Sequence, residues 1–292
     1  MIDGYKVFVC SFVSNSVTTG YGPMIAPAVN SWCDVSYVDR VVLVDGMSDD
    51  DTRLLVPADR KVSIVDGPRW PVDSWSWRNV IDAENTFVQA VLDDPHPRKV
   101  FAYMSIDNVL YRDHADLAAM SRRMIKDDFD FVMMRFDKAF TPAYITTDYP
   151  VMPSKNWYIC TATRVDERFK PTKIINECAI DYEKAGKIRG TTHRFKSAPV
   201  SYDMFFFTRE HVEAKAQRHV GFQNMKRKPT ISELVDKQMS KLRKRGIKLR
   251  KVLIEQHPER MHDVLQNTLS AEHYGYSMFG LVEGATNGLK IV

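Results

Sequence analysis

Short apolar runs alternate with amphipathic segments through the first half of the chain. Val7–Val13 is apolar at all positions but Ser11 and too short for a helix alone, which predicts a strand buried on both faces. A polar, glycine-bearing loop, Ser14–Gly22, follows, and then a helix over Met24–Trp32 begun near Pro23. Val38–Asp45 and Val62–Val65 read as two more strands, and a Trp-rich loop runs from Trp70 to Trp77. Apolar residues at helical spacing (Val80, Ile81, Phe87, Val88, Val91) predict a helix over Arg78–Leu92. Val100–Met104 reads as a strand, Leu110–Lys126 as a helix and Phe129–Phe136 as a strand. Strand and helix alternate to about residue 135, the pattern of an α/β fold with a mainly parallel sheet. In such sheets ligands sit beyond the carboxyl ends of the strands. Asp45, and Ser105 with Asp107, fall at those ends.

The pattern then changes. From Asp137 to about Arg194 it is irregular and rich in Thr, Pro and Tyr, which predicts loops and short mixed strands. Met204–Phe207 reads as a strand, Arg209–Arg218 as a helix, Thr230–Arg245 as a strong helix stopped at Gly246, and Ile247–Ile254 as a basic strand. The residues from His257 onward read as a glycine-bearing tail.

Composition narrows the class. The chain has 292 residues, an ordinary apolar fraction of 44% and a net charge of +4, enough for one large domain or two small ones on a shared sheet. No apolar stretch reaches the ~20 residues of a membrane-spanning helix, and the first residues do not form a signal peptide. Cys10, Cys33, Cys160 and Cys178 are far apart with no CxxC pair, as expected of free thiols in a reducing cytoplasm. The positive charge is uneven. Lys226, Arg227 and Lys228 precede a crowd of Lys and Arg from Lys237 to Lys251, a solvated face or a polyanion-binding one.

Three stretches carry candidate chemistry. Val44-Asp45-Gly46-Met47-Ser48-Asp49-Asp50-Asp51-Thr52 resembles the V-D-D-G-S-T-D-G-T segment of GT-A fold glycosyltransferases, family 2 in particular. Asp45, Ser48, Asp50 and Thr52 match, while Gly46 and Met47 depart from the second Asp and the Gly. Arg78-Asn79 resembles the family's A-R-N at the head of its second helix, and a helix N-terminus with an Arg suits a diphosphate. Phe101–Asn108 resembles the F-L-D-A-D-D strand end. Asp107 aligns with the second Asp of the DxD motif and Ser105 replaces the first. In the second half Met204–Glu210 resembles the strand before R-R-E, and Val220-Gly221-Phe222 resembles G-G-F. Glu233-Leu234-Val235-Asp236 takes the E-D-x-x-L place, and Lys241–Lys248 resembles L-R-L-R-K-A-G-Y-R. His257 falls where the family often has a metal-binding His.

The resemblance implies a GT-A fold. Residues 1–135 would bind the nucleotide sugar, 136–256 would complete the sheet and bind the acceptor, and 257–292 would form a tail or lid. It implies metal-dependent, inverting transfer of a sugar from a nucleotide diphosphate donor, expected to be UDP-linked, to a hydroxyl. Asp45, Ser48, Arg78, Asn79, Ser105 and Asp107, with Ser11 of the first strand, are the expected donor contacts. Asp107 and His257 would hold Mn²⁺ or Mg²⁺, as hard oxygen and imidazole ligands can. Glu233 is the first choice for the base that deprotonates the acceptor and Asp236 the second. The basic region Lys226–Lys251 motivates a hydroxymethylated DNA base as acceptor, as in viral DNA modification, with a polysaccharide or glycan as the rival.

Structural readings compete at each position. Thr230-Ile231-Ser232-Glu233 is also a capping box, Arg78 is placed for an ion pair with Asp82, Asp45 for capping the next turn, and Asp107-Asn108 for a turn. His257, before Pro258 in a loop, competes with His193, His219 and His262 for the metal role. Trp70, Trp75 and Trp77 fit loop packing or ring stacking. Two other classes remain: a sugar nucleotidyltransferase, though Val13–Gly22 lacks its usual Lys, and a non-catalytic nucleic-acid-binding protein, which the strand-end carboxylates disfavour.

Overall fold

A computed structural model describes residues 1–70, 77–106, 108–110, 115–127, 131–133, 136–141, 144–147, 160–165, 174–175, 178–179, 190–192, 201–204, 211–214, 216–217, 227–244, 246, 248–257 and 259–270. The expected contributions of Asp107, Trp75, the Cys160 and Cys178 thiols, His193, His219 and the Val220–Phe222 segment therefore lie outside what is described, wholly or at the side chain.

The first half is a doubly wound sheet. Strand β1 (Lys6–Val13) lies at its centre, with β2 (Arg40–Asp45) on one side and β4 (Lys99–Tyr103) on the other, both parallel to it. Strand β3 (Val62–Asp66) extends the sheet beyond β2. Helix α1 (Gly22–Cys33) connects β1 to β2, and α2 (Trp77–Leu92) connects β3 to β4. The period of two in β1 separates two cores. Val7, Val9 and Val13 face a cluster with Met24, Ile25, Ala28, Val29 and Trp32 of α1. Phe8 and Cys10 face the other cluster, with Ala83, Phe87, Val88 and Val91 of α2. Both faces of the central strands are thus covered by helices, which explains the unbroken apolar runs Val7–Cys10, Val41–Val44 and Val100–Tyr103 within them.

Beyond β4 the sheet turns mixed. Strand β5 (Asn108–Leu110), helix α3 (Ala115–Asp127) and short strands follow: β6 (Phe131–Met133), β7 (Phe136–Thr141), β8 (Tyr144–Thr147) and β9 (Cys160–Val165). Then come β10 (Ile174–Ile175), β11 (Cys178–Ala179), β12 (Gly190–Thr192) and β13 (Ser201–Met204). The main sheet runs β12-β6-β9-β4-β1-β2-β3, with β9 antiparallel to both β4 and β6. A second sheet runs β14-β8-β7-β13-β5, where β14 is Lys248–Lys251 and follows helix α4 (Ile231–Lys244).

Three expectations change. Leu110 is predicted to begin a helix, but it ends strand β5, which pairs with Ser201–Asp203 far along the chain. That non-local ladder leaves no mark on local periodicity. The single strand predicted over Phe129–Phe136 is two strands in different sheets. The predicted tail begins as ordered helix: α5 (His262–Ser270) follows a 3-10 turn, and Met261 and Leu265 are buried in the α1-side core. Among the described residues no helix is long and apolar enough to cross a membrane.

Candidate functional site

After β1 the chain winds through α1 to β2 and β3 on one side, then returns through α2 to β4 on the other side of β1. The carboxyl ends of β1 and β4 therefore form a topological switch point, where open α/β sheets leave a crevice. A small, partly open cleft lies there, lined by Phe12, Val13, Ser14, Ser16, Tyr21, Trp70, Ser105 and Ile106. Among the described residues its lining is aromatic, apolar and hydroxylic, with no Lys, Arg, Asp or Glu. Such a wall suits a neutral planar ring rather than a phosphate. Phe12 meets Trp70 edge-on at 4.6 Å between ring centroids and stacks with Tyr103 at 5.7 Å, so the aromatic wall is braced from the core. Tyr21 meets the buried ring of His211 edge-on at 4.1 Å.

The loops that carry the cleft are tied together by the residues that resemble the V-D-D-G-S-T-D-G-T segment. Ser48 Oγ accepts from the Asn15 backbone N–H at 2.8 Å, and Asn15 Oδ1 accepts from the Asp49 N–H at 2.9 Å. Thr52 Oγ1 accepts from the Ser16 N–H at 2.6 Å, and Asp50 Oδ2 from the Thr18 N–H at 2.9 Å. Burial alone would raise the Asp50 pKa. Hydrogen bonds from Thr52 and Thr18 outweigh it and hold the carboxyl below its ordinary value. These four hydrogen bonds thus join the loop after β1 to the loop after β2.

Asp45, expected to meet the nucleotide, is 0% exposed and does not line the cleft. Its Oδ1 accepts from Ser48 Oγ at 2.6 Å and from the Ser48 N–H at 3.2 Å, and its Oδ2 pairs with Arg53 Nε. Arg53, which the sequence reading passed over, also pairs with Asp66, the residue beside Asp45 on β3. Both contacts raise the guanidinium pKa, Asp66 the more. Ser11 is buried on β1, and its Oγ has no hydrogen-bond partner among the described residues. Ser105 lines the cleft.

The other candidates are placed elsewhere. Arg78 opens α2 and pairs through Nε with Asp82 Oδ1 at 2.9 Å, one turn on; Asn79 beside it is half-buried. Glu233 forms the capping box of α4: its N–H donates to Thr230 Oγ1 at 3.2 Å, and its Oε2 accepts from the Thr230 N–H at 2.8 Å. Arg227 forks onto the same carboxylate, with Nη1 at 2.8 Å from Oε2. The Arg227 hydrogen bond, with the Thr230 N–H behind it, lowers the Glu233 pKa to about 2. Asp236 is exposed one turn further along α4. His257 is buried after a 3-10 turn, its N–H donating to Ile254 O at 3.0 Å and its carbonyl 3.0 Å from His262 Nε2. Asp107 lies outside the described residues. Among the described residues no three His, Cys, Asp or Glu side chains come together as a cation site. Cys10 and Cys33 are buried thiols. Burial and then Glu84 push Cys10 up, and burial and then Asp59 push Cys33 up to about 11, so neither is a nucleophile.

No protein family and no curated protein matches the sequence. Solved structures do. The chain resembles S. aureus TarS 1-349 in complex with UDP at 13% identity, over 90% of this chain and 79% of that one, with a TM-score of 0.42. It resembles the mannosyltransferase PcManGT from Pyrobaculum calidifontis, in complex with GDP-Man and Mn²⁺, at 15% identity over 97% and 73%, with a TM-score of 0.43. It also resembles a 4-diphosphocytidyl-2C-methyl-D-erythritol synthase at 8% identity over 73% and 79%, with a TM-score of 0.34. At these levels the activities of those proteins do not transfer to this chain on likeness alone. The α/β class rests on its own strand order and on the helices covering both sheet faces.

Proposed function

We propose that the protein is a glycosyltransferase that moves a sugar from a nucleotide diphosphate donor, UDP-linked, to a hydroxyl group with inversion. One observation carries this reading: a cleft at the β1/β4 switch point whose described wall is aromatic and hydroxylic, with Ser105 on it two residues before Asp107. The base of the donor would occupy the cleft. The diphosphate would lie outside it, toward the head of α2, where Arg78 and Asn79 begin the helix. Arg78 is exposed in its pair with Asp82, so exchanging that partner for a phosphate costs little.

In the transfer, the acceptor oxygen bonds to the anomeric carbon as the bond to the diphosphate oxygen breaks, and the acceptor proton passes to a carboxylate. Asp236 suits that role better than Glu233, because a carboxyl held near pKa 2 by Arg227 is a weak base. A divalent ion would sit with Asp107, the donor diphosphate and His257. The described residues make no cation site by themselves, so no step is assigned to the metal.

For the acceptor we propose a hydroxymethylated base in DNA, in a viral setting and a reducing cytoplasm. Support comes from the exposed cations Lys228, Arg243, Lys244, Arg250 and Lys251, within and around α4 and β14. Phosphate neutralisation would bind the duplex, and a flipped base would reach the site. A panel of nucleotide sugars with Mn²⁺, read by release of nucleotide diphosphate with and without duplex DNA carrying hydroxymethylated bases, tests both halves. DNA-stimulated release that falls steeply with salt supports the DNA acceptor. Turnover on glycans without DNA binding at low salt overturns that half, and no release from any donor overturns the transferase.

A further inference from the structure

Strand β3 ends the main sheet, and among the described residues no strand pairs with it beyond β2. Its ladder with β2 shows which backbone groups are spare. The Val41 N–H donates to Lys61 O at 2.8 Å, and the Gly67 N–H donates to Asp45 O at 2.8 Å. With the parallel register running from Val41↔Val62 to Asp45↔Asp66, the odd-numbered residues of this stretch bond to β2. The even ones, Val62, Ile64 and Asp66, turn their N–H and carbonyl groups to the open edge. The Val62 N–H is taken by Asp59 O at 2.9 Å. Four groups then face outward along the strand: the Val62 carbonyl, the Ile64 N–H and carbonyl, and the Asp66 N–H.

Open sheet edges are ordinarily blunted by charge, proline or a bulge. Strand β14, at one end of the second sheet, follows that rule, with Lys248, Arg250 and Lys251 at three of its four positions. Strand β3 does not. Its interior is Val62-Ser63-Ile64-Val65, with no charge, no proline and an unbroken register against β2. Ile64 stands opposite Leu43 of the α1-side core, so it lies on that face, and at the edge it is 37% exposed. Charge sits at the two ends instead. Arg60 is exposed in the turn before the strand, and Asp66 is exposed where the strand stops.

We propose that this edge pairs with a second copy of the chain, the two β3 strands running antiparallel across a two-fold axis at Ile64. In that register Ile64 exchanges both of its hydrogen bonds with its counterpart, and each Asp66 N–H donates to the opposing Val62 carbonyl. The four groups that one copy leaves spare are the four that the other copy needs. The two Ile64 side chains lie side by side on one face and cover each other. Each Asp66 comes within two residues of the partner's Arg60, a distance that a long side chain spans. Parallel pairing would set Arg60 beside Arg60 and Asp66 beside Asp66, so the charges select the antiparallel arrangement. The β1/β4 clefts then open at opposite ends of the joined sheet, and the pairing covers neither, whatever they bind.

Sedimentation velocity of the full chain over a concentration series tests the pairing, with hydrogen exchange across β3 read alongside. The parent should sediment as a dimer at high concentration. The Ile64 and Asp66 amides should exchange more slowly there than at high dilution. Ile64→Lys removes the apolar pair and sets like charges across the axis, so the dissociation constant should rise about a hundredfold. Arg60→Glu changes only an exposed side chain and should raise it about threefold, with a larger effect at low salt. Far-UV circular dichroism should show both variants folded. If Ile64→Lys does not fold, Arg60→Glu and the exchange of the parent decide the matter. A parent that stays monomeric at every concentration overturns the proposal. So does a dimer that Ile64→Lys leaves intact, or one that forms without slowing exchange in β3, because its copies meet through another surface. Undiminished dimerisation of Arg60→Glu at low salt overturns the antiparallel register.

Discussion

The Asp45–Arg53 pair offers the sharpest test of how the site is built. Asp45 is 0% exposed and its carboxylate receives the Ser48 hydroxyl, the Ser48 N–H and the Arg53 guanidinium. In Asp45→Asn the side chain keeps an acceptor for Ser48 but turns an amide N–H₂ toward another donor. Hydrogen bonds to charged groups are each worth about 1.5–3 kcal/mol. Arg53 is 45% exposed, so solvent screens its share to about 1 kcal/mol. The substitution should cost about 2–3 kcal/mol in all, read as a fall in the urea midpoint at constant slope. Arg53→Met alone should cost about 1 kcal/mol, since its second partner, Asp66, is exposed. A double-mutant cycle should return a coupling of about 1 kcal/mol. A coupling near zero, with Asp45→Asn as stable as the parent, would refute the claim that this buried carboxylate organises the turn. Because the measurement contains no nucleotide, it separates the structural role of Asp45 from any contact with a ligand.

Other outcomes follow from the same structure. A Cβ at Gly67 would lie 2.3 Å from Val44 Cγ1 and 3.2 Å from Asp45 O, so Gly67→Ala should destabilise by about 1–3 kcal/mol, seen in chemical denaturation. Asp94 is buried, takes Lys6 Nζ at 2.6 Å and lies 3.5 Å from Arg40. Burial opposes its ionisation, but Lys6, the His96 N–H and Arg40 together keep its pKa below the ordinary value. Its stabilisation is therefore complete above the unfolded carboxyl pKa of about 4 and lost as pH falls through the lower folded value. Melting curves of Asp94→Asn should start lower at neutral pH and decline less steeply below about pH 4 than those of the parent. Glu233→Gln should retain nucleotide diphosphate release and lose some thermal stability, whereas Asp236→Asn should abolish release without loss of fold; the reverse pattern returns the base role to Glu233. Asp107→Ala should abolish Mn²⁺-dependent release in a folded protein.

The central sheet was legible because its information is local. Val7–Cys10, Val41–Val44 and Val100–Met104 are unbroken apolar runs, as burial between two helical layers requires. The amphipathic spacing of α2 marked the face that packs on Phe8 and Cys10. Strand-end positions were legible for the same reason, since an Asp or Ser after an apolar run must stand where the strand stops. The Arg78–Asp82 pair and the Glu233 capping box were also within local reach, because both partners lie within one turn of a helix.

What the sequence by itself determined is thus the α/β layering and the ends of its strands. Only the tertiary structure decided what those ends face. Asp45 turns inward to Ser48 and Arg53, while Ser14, Ser16, Tyr21 and Trp70 converge on the cleft from segments up to 56 residues apart. Such convergence depends on strand order and on hydrogen bonds between loops, and neither leaves a periodic signal in the chain. The pairing of Val109 with Tyr202 belongs to the same class: it is a consequence of distant backbone held in register, not of the residues next to it.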